Sequence, residues 1–203
     1  MFCRTHIFLF LLLPFVIGCK EAHGVLNLPY EQMQDGDLVF RCGHGVLSRA
    51  VTTVEEEGKY SHVGILIRHN RRWNVIHAVP GEKDHPGDFE RVKEECVKDF
   101  FSFGRAYKGC MVHTGLKNNE ILDGIRNEAI RFVRDSIRFD DKYDLNDSSK
   151  VYCTEFVWLL YKKAGIDLSE GRRRFVKAFN IHNECLLPEH LLNYCDNEVY
   201  FCF

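Results

Sequence analysis

The chain carries no hydrophobic run long enough to cross a bilayer comfortably and no excess of either charge. Its apolar stretch from Ile7 to Ile17 holds eleven residues, whereas a spanning helix needs about 20. A formal net charge of -2 gives no electrostatic case for nucleic acid, since no extended basic tract is present to neutralise phosphates. The short clusters Arg71-Arg72 and Arg172-Arg173-Arg174 read as solvated turns or helix faces. There is no internal repeat and no low-complexity segment. There is also no pair of CxxC motifs, no HExxH helix and no calcium-loop pattern. Neither a metal nor any other cofactor is therefore expected.

What is present begins with an export signature. Arg4 and His6 precede the apolar run, and Val16-Ile17-Gly18-Cys19 closes it with small residues. A basic start, a short apolar core and a small-residue exit make a secretion signal. The ending resembles a bacterial lipoprotein signal, in which Cys19 becomes the lipidated first residue and holds the protein at a membrane. Plain secretion and an uncleaved segment are the alternatives. Residues 1–18 are thus expected to be the signal and residues 19–203 one domain, of a length that suits a sizeable core. Oligomeric state is not legible.

Nine cysteines in an exported chain invite disulfides. Setting aside Cys3, Cys19 and Cys153 leaves an even six at irregular spacings, which permits pairing without requiring it. Buried free cysteine packs as a small apolar residue, and some of these are expected to do so.

The central segment reads as strands. Asp35-Gly36-Asp37 punctuates, Leu38-Val39-Phe40 extends, and Gly43 to Thr53 forms a loop or short helix. Ser61 to Ile67 and Trp73 to Val79 are β-type runs around the polar turn His69-Asn70-Arg71-Arg72, so they form a hairpin. Cys110 to His113 is a further short strand. From Asn118 the period changes: Ile121, Ile125, Ala129, Val133 and Ile137 recur at helical spacing. A second helix spans about Cys153 to Ala164 and stops at Gly165, and Ser169 onward offers another short helix. The fold class is α+β, a strand-rich centre followed by helices.

One cysteine stands apart. In Tyr152-Cys153-Thr154-Glu155-Phe156-Val157 the thiol of Cys153 sits where a helix begins. Unpaired amides and the positive end of the helix dipole stabilise thiolate there, and the same amides can hold an oxyanion. His62, at the edge of a strand-like run, is placed to take and return a proton. His77, on the neighbouring run, can orient the first imidazole. Each has a plainer reading: a buried thiol for Cys153, and polar boundaries of the sheet for the histidines. Tyr152 can flank an oxyanion or pack the helix start. Asp37 can shape a cleft or cap a turn. Ser61 and Thr154 can tune local hydrogen bonds beside substrate, and Glu155 can recognise a substrate amine or cap the first helical turn.

Taken in order, Asp35 to Phe40, Ser61 to Ile65, Val75 to Val79, Tyr152 to Val157 and Ala164-Gly165-Ile166 resemble the circularly permuted NlpC/P60 superfamily of papain-like hydrolases, in particular its YiiX/YebB-like branch. The resemblance implies an antiparallel sheet packed against helices. It also implies Cys153 as nucleophile, His62 as general base and His77 in the third position, where relatives often carry an acid. Glu82 is the nearby acidic alternative. The activity so implied is cleavage of an amide or peptide bond through a thioester, with cell-wall-derived or related small peptides as substrates in the bacterial envelope. The alternatives are a lipid-directed acyl hydrolase or acyltransferase, like the lecithin:retinol acyltransferase group, and a non-catalytic envelope ligand-binding domain.

Overall fold

A computed structural model describes residues 26–54, 58–147, 149–178, 181–195 and 198–203. The expected signal and Cys19 lie outside the described residues. In chain order the elements are β1 (Leu38–Cys42), α1 (Val46–Val54), β2 (His62–His69), β3 (Arg72–Val79), β4 (Arg91–Cys96), α2 (Val97–Phe100), β5 (Lys108–Val112) and α3 (Asn119–Arg134). Then come β6 (Arg138–Phe139), β7 (Lys150–Val151), α4 (Cys153–Lys163), β8 (Arg174–Ala178), β9 (Ile181–Cys185), α5 (Pro188–Cys195) and β10 (Val199–Cys202).

Eight strands form one sheet in the order β10-β5-β1-β2-β3-β4-β6-β7. Every pairing is antiparallel except that of β6 with β7, so the expected antiparallel sheet carries one short parallel edge. The alternation of side chains along each strand sorts the core into two layers. Leu38, Phe40, Val63, Ile65, Ile67, Ile76 and Ala78 pack with residues of α3, α4 and α5. Val39, Leu66, Val75 and Met111 face the other way, against Val97, Phe100 and Phe101.

The β2–β3 hairpin is the expected one, and its turn is tighter than its residues suggest. His69 pairs with Arg72, so only Asn70 and Arg71 form the loop, with φ of 51° and 63°. Two consecutive positive φ values give the turn whose twist matches the strands. Asn suits that region; arginine does not favour it, which hides the turn in the sequence.

α3 starts where Asn118 caps it, its side chain accepting from the Glu120 and Ile121 amides at 2.9 and 3.3 Å. α4 ends at Gly165, whose φ of 84° suits glycine. The short helix expected from Ser169 is absent. Asp167 accepts hydrogen bonds from the Ser169 amide (3.0 Å), the Ser169 hydroxyl (2.6 Å) and the Gly171 amide (3.2 Å). These local bonds divert the backbone into a turn, and β8 and β9 follow as a separate two-stranded sheet.

Gly64 is where the hairpin is most crowded. A Cβ there would lie 2.5 Å from Val75 Cγ1 and 3.1 Å from the Cβ of His77. Gly64→Ala is therefore expected to overpack the sheet by about 1–3 kcal/mol and to push His77 out of line. A lowered Tm with lost turnover is the expected result. An alanine variant with wild-type Tm would show that β3 yields freely.

Candidate active site

Cys153 is the first residue of α4 and Tyr152 its N-cap, in extended conformation (φ -101°, ψ 173°). α4 belongs to the helix layer, and its N-terminus opens onto a cleft of about 530 Å³ that Cys153, His62, Arg41, Ser61, Tyr152, Thr154 and Glu82 all line. The imidazoles come from the other face of the sheet. Arg41 and His62 are cross-strand partners, and His77 pairs with Lys93 on β4. Arg41, His62, His77 and Lys93 therefore form a polar row across four strands, on the face that carries Phe100.

His62 Nε2 and His77 Nδ1 are 2.8 Å apart, with both residues buried. His77 Nε2 in turn lies 3.0 Å from Glu95 Oε1, a close polar contact outside hydrogen-bond geometry, and neither atom has a hydrogen-bond partner. Phe100 packs against both rings, 5.8 Å from His62 and 5.3 Å from His77 between centroids. The series is thus His62, His77, Glu95. Because His62 spends Nε2 on His77, its Nδ1 is the ring nitrogen left for other partners.

A charged cluster surrounds this series. Arg41, only 2% exposed, donates to Phe100 O at 2.8 Å and to Glu82, and its guanidinium lies 4.4 Å over the Phe100 ring. Arg105 bridges Glu95 and Glu82. Lys93 donates to Glu82 O at 2.8 Å and to Asp84 at 3.2 Å. Burial lowers the Arg41 pKa to about 10, against the pull of Glu82, so it remains a cation at neutral pH. Burial, followed by the charge of Arg41, holds His62 and His77 well below the ordinary histidine range. Both are neutral imidazoles at pH 7.

The remaining sequence candidates divide. Ser61 stays at the cleft, its hydroxyl tied to Ser48 and 3.3 Å from Arg41 O. Glu82 also lines the cleft, but it serves Arg41 and Arg105, while His77 and Glu95 extend the line from His62. Thr154 donates its hydroxyl to Leu186 O at 2.8 Å, which commits it to holding the segment after β9. Tyr152 OH accepts from the Leu186 amide at 2.8 Å. The Tyr152 amide donates to Glu155 at 3.3 Å and is thereby taken up by its cap, away from any oxyanion.

Two candidates are corrected. Glu155 is 1% exposed and caps α4; it does not line the cleft. Asp37 lies at the far end of β1, four residues before Arg41, or about 13 Å at strand spacing. Its carboxylate accepts from the Gln34 amide, His113 and the Tyr200 hydroxyl, each at 2.9 Å. It fastens a turn and β10, and does not shape the cleft. Arg41, Glu95, Lys93 and Arg105 were missed by the sequence reading. The spacing of Lys93 and Glu95 puts both on one face of a strand, but the adjacent Glu94 leaves the sequence without a sign of which face meets the histidines. Among the described residues no group of three or more His, Cys, Asp or Glu side chains is set to hold a metal ion.

A family model described as "permuted papain-like amidase enzyme, YaeF/YiiX, C92 family" matches residues 32–185. The chain belongs to this family. The permuted papain-like amidases are cysteine peptidases and amidases, so the chain has the fold and class of a cysteine amidase. A crystal structure of the metalloprotein YiiX from Escherichia coli O157:H7 shares the fold, with a TM-score of 0.65 at 19% identity, covering 83% of this chain and 96% of that one. No curated protein matches the chain in sequence. In this permuted amidase the helix bearing Cys153 follows the histidine strands in the chain, and the sheet brings them to one cleft.

Protonation of the cap has a measurable consequence. Burial raises the Glu155 pKa to about 8 from an ordinary 4.5. The folded chain thus keeps a proton that the unfolded chain gives up above about 4.5, and stability falls as pH rises from there through 8. Glu155→Gln copies the protonated cap. Its stability is expected to match wild type near pH 5 and to exceed it increasingly up to pH 8, by at most about 1.4 kcal/mol per pH unit, with Tm rising accordingly. Parallel Tm curves for the two proteins would mean that Glu155 is ionised throughout.

Proposed function

We propose that the protein cleaves an amide or peptide bond by attack of Cys153 on the acyl carbonyl, through a thioester. The observation that carries this reading is the buried His62–His77 hydrogen bond in the same cleft wall as a cysteine at a helix N-terminus.

Donor and acceptor counting sets the roles. The Glu95 carboxylate can only accept, and at 3.0 Å it favours the tautomer that carries the proton on His77 Nε2. His77 Nδ1 is then an acceptor and His62 Nε2 the donor. That leaves the lone pair of His62 on Nδ1, the nitrogen that takes the thiol proton. As Cys153 attacks, His62 becomes an imidazolium whose Nε2–H already points at His77. The first-turn amides of α4, which have no partner within the helix, hold the oxyanion. His62 then protonates the leaving amine and activates the water that hydrolyses the thioester.

The cleft favours a substrate with an apolar acyl part, which Leu186, Leu187, Pro188, Val46 and Leu47 can cover. Arg105 and Glu82 offer a polar rim for a charged or amide end. Small peptides, cell-wall-derived or related, satisfy both requirements. A lipid acyl group is the second reading, favoured by the exposure of Val46 (76%) at the cleft. We place the protein in the bacterial cell envelope on the sequence of residues 1–19, with Cys19 lipidated as its membrane attachment. Among the described residues no helix is long and apolar enough to cross a membrane.

A thiol electrophile followed by peptide mapping tests the nucleophile: Cys153 is expected to label first, and Cys153→Ala to abolish both that label and turnover. Release of free amine from cell-wall peptides, compared with acyl release from phospholipids, separates the two substrate readings; lipid turnover alone would defeat the peptide one.

Glu95→Gln tests the tautomer argument. The amide can present N–H to His77 and reverse every bond in the series, so kcat/KM is expected to drop about 10²-fold or more, with the rate of Cys153 alkylation falling in parallel. A variant with lowered Tm but unchanged alkylation rate and kcat would reduce Glu95 to a structural role.

A further inference from the structure

β5 and β10 meet at one edge of the sheet, and their register sets Cys110 directly opposite Cys202. One step along, Phe203 N–H donates to Gly109 O at 3.0 Å and Gly109 N–H donates to Phe203 O at 3.3 Å. A pair that exchanges both bonds is a hydrogen-bonded pair, so the next pair is a non-hydrogen-bonded one. Such partners have α-carbons about 4.5 Å apart and side chains close together on one face. A disulfide spans α-carbons about 4.4–6.8 Å apart. Both residues are thiols in this structure. Cys42, another thiol of this region, faces Lys108 across the strands and is turned to Lys59 O at 3.1 Å.

We propose that Cys110 and Cys202 are a disulfide-forming pair, joined when the protein meets a disulfide oxidant. The two thiols differ in access. Cys202 is exposed, whereas Cys110 is 1% exposed and burial pushes its thiol up to about 12. Cys202 is therefore the point of entry. Its thiolate attacks one sulfur of the oxidant, forming a mixed disulfide and releasing the other sulfur as a thiolate that takes a proton. Cys110, deprotonated as it attacks, then displaces the second oxidant sulfur from Cys202. The pair loses two electrons and two protons, and the oxidant leaves as two thiols.

The bond adds a covalent lock to an edge strand that otherwise holds by its backbone ladder with β5 and by side-chain contacts. Tyr200 of β10 donates to Asp37 and stacks on His113 at 4.1 Å. Beyond it, Phe203 packs on Phe101, which packs in turn on Phe100 beneath the histidines. An edge strand is the part of a sheet most open to fraying and to pairing with other chains. Closing a loop of this length constrains the unfolded chain strongly.

The full-length chain, reduced and then exposed to glutathione disulfide, is alkylated and mapped without reduction. Expected are a linked peptide containing Cys110 and Cys202, and a Tm higher by roughly 5–10 °C than in the reduced protein. Cys202→Ser, a change at an exposed site that leaves folding intact, is expected to lose both the linked peptide and the gain in Tm. Recovery of alkylated Cys110 from the oxidised protein would overturn the proposal. So would Cys202 bonded to any other cysteine or held only as its glutathione adduct. Glutathione on Cys153 reports on its own peptide and does not confuse the reading.

Discussion

Two imidazoles joined by one hydrogen bond cannot both be charged, because one donates and the other must accept through an unprotonated nitrogen. The 2.8 Å contact of His62 with His77 imposes that condition on everything around it. Glycine at position 64 makes room for His77 on the neighbouring strand. Phe100 closes the space over both rings and shields them from water. Glu95, 3.0 Å from His77 Nε2, favours a proton on that nitrogen. With all three in place, a bond that is symmetrical in principle gains a direction, which leaves Nδ1 of His62 as the unprotonated nitrogen.

Arg41 supports this from the side. A buried guanidinium beside two histidines opposes their protonation, so the resting site holds neutral bases and no standing imidazolium. The same cation favours negative charge on a thiolate arriving from α4. Such a charge in the sheet needs counterparts, and Glu82 and Glu95 supply them, bridged by Arg105 at the rim. Removing one member of a buried charge cluster strands the others at a cost of about 3–5 kcal/mol. The polar floor of the cleft is therefore rigid as a unit, and its rigidity holds His62 still while α4 presents the cysteine.

Much of this was legible from short-range pattern. The alternation in His62 to Ile67 and Trp73 to Val79 marks two strands with a histidine each on one face. The periodicity from Ile121 and the glycine after Ala164 bound the two long helices. The family resemblance added the order of the pieces. What stayed hidden depends on distance along the chain. Arg41 meets Phe100 O across fifty-nine residues, and Glu95 meets His77 only because β4 pairs with β3. Nothing local distinguishes Glu95 from Glu94, which faces His69 and Asn74 instead; the difference is one step of a strand. Asp37 misled for the converse reason. An acid before a core strand looks the same whether it serves a cleft or a turn, and here the partners that settle it, His113 and Tyr200, lie far along the sequence.

A histidine in the third position, with the acid one step further out, also changes what the acid can do. Placed directly against the catalytic imidazole, a carboxylate would stabilise its cation by charge. Here a second ring stands between them, with 5.0 Å separating the two ring centroids, so the direct attraction falls with distance. What survives the extra step is the choice of tautomer: the carboxylate beside His77 Nε2 favours a proton there, and the hydrogen bond of His77 with His62 carries that choice to the next ring. In the proposed mechanism, a His62 that has accepted the thiol proton can share the new charge with the interposed imidazole by moving the proton between them, bringing the cation next to Glu95 only in that state. Under that proposal the base is neutral at rest and meets the carboxylate in its charged state, so the outer acid would act on the reaction more than on the resting enzyme.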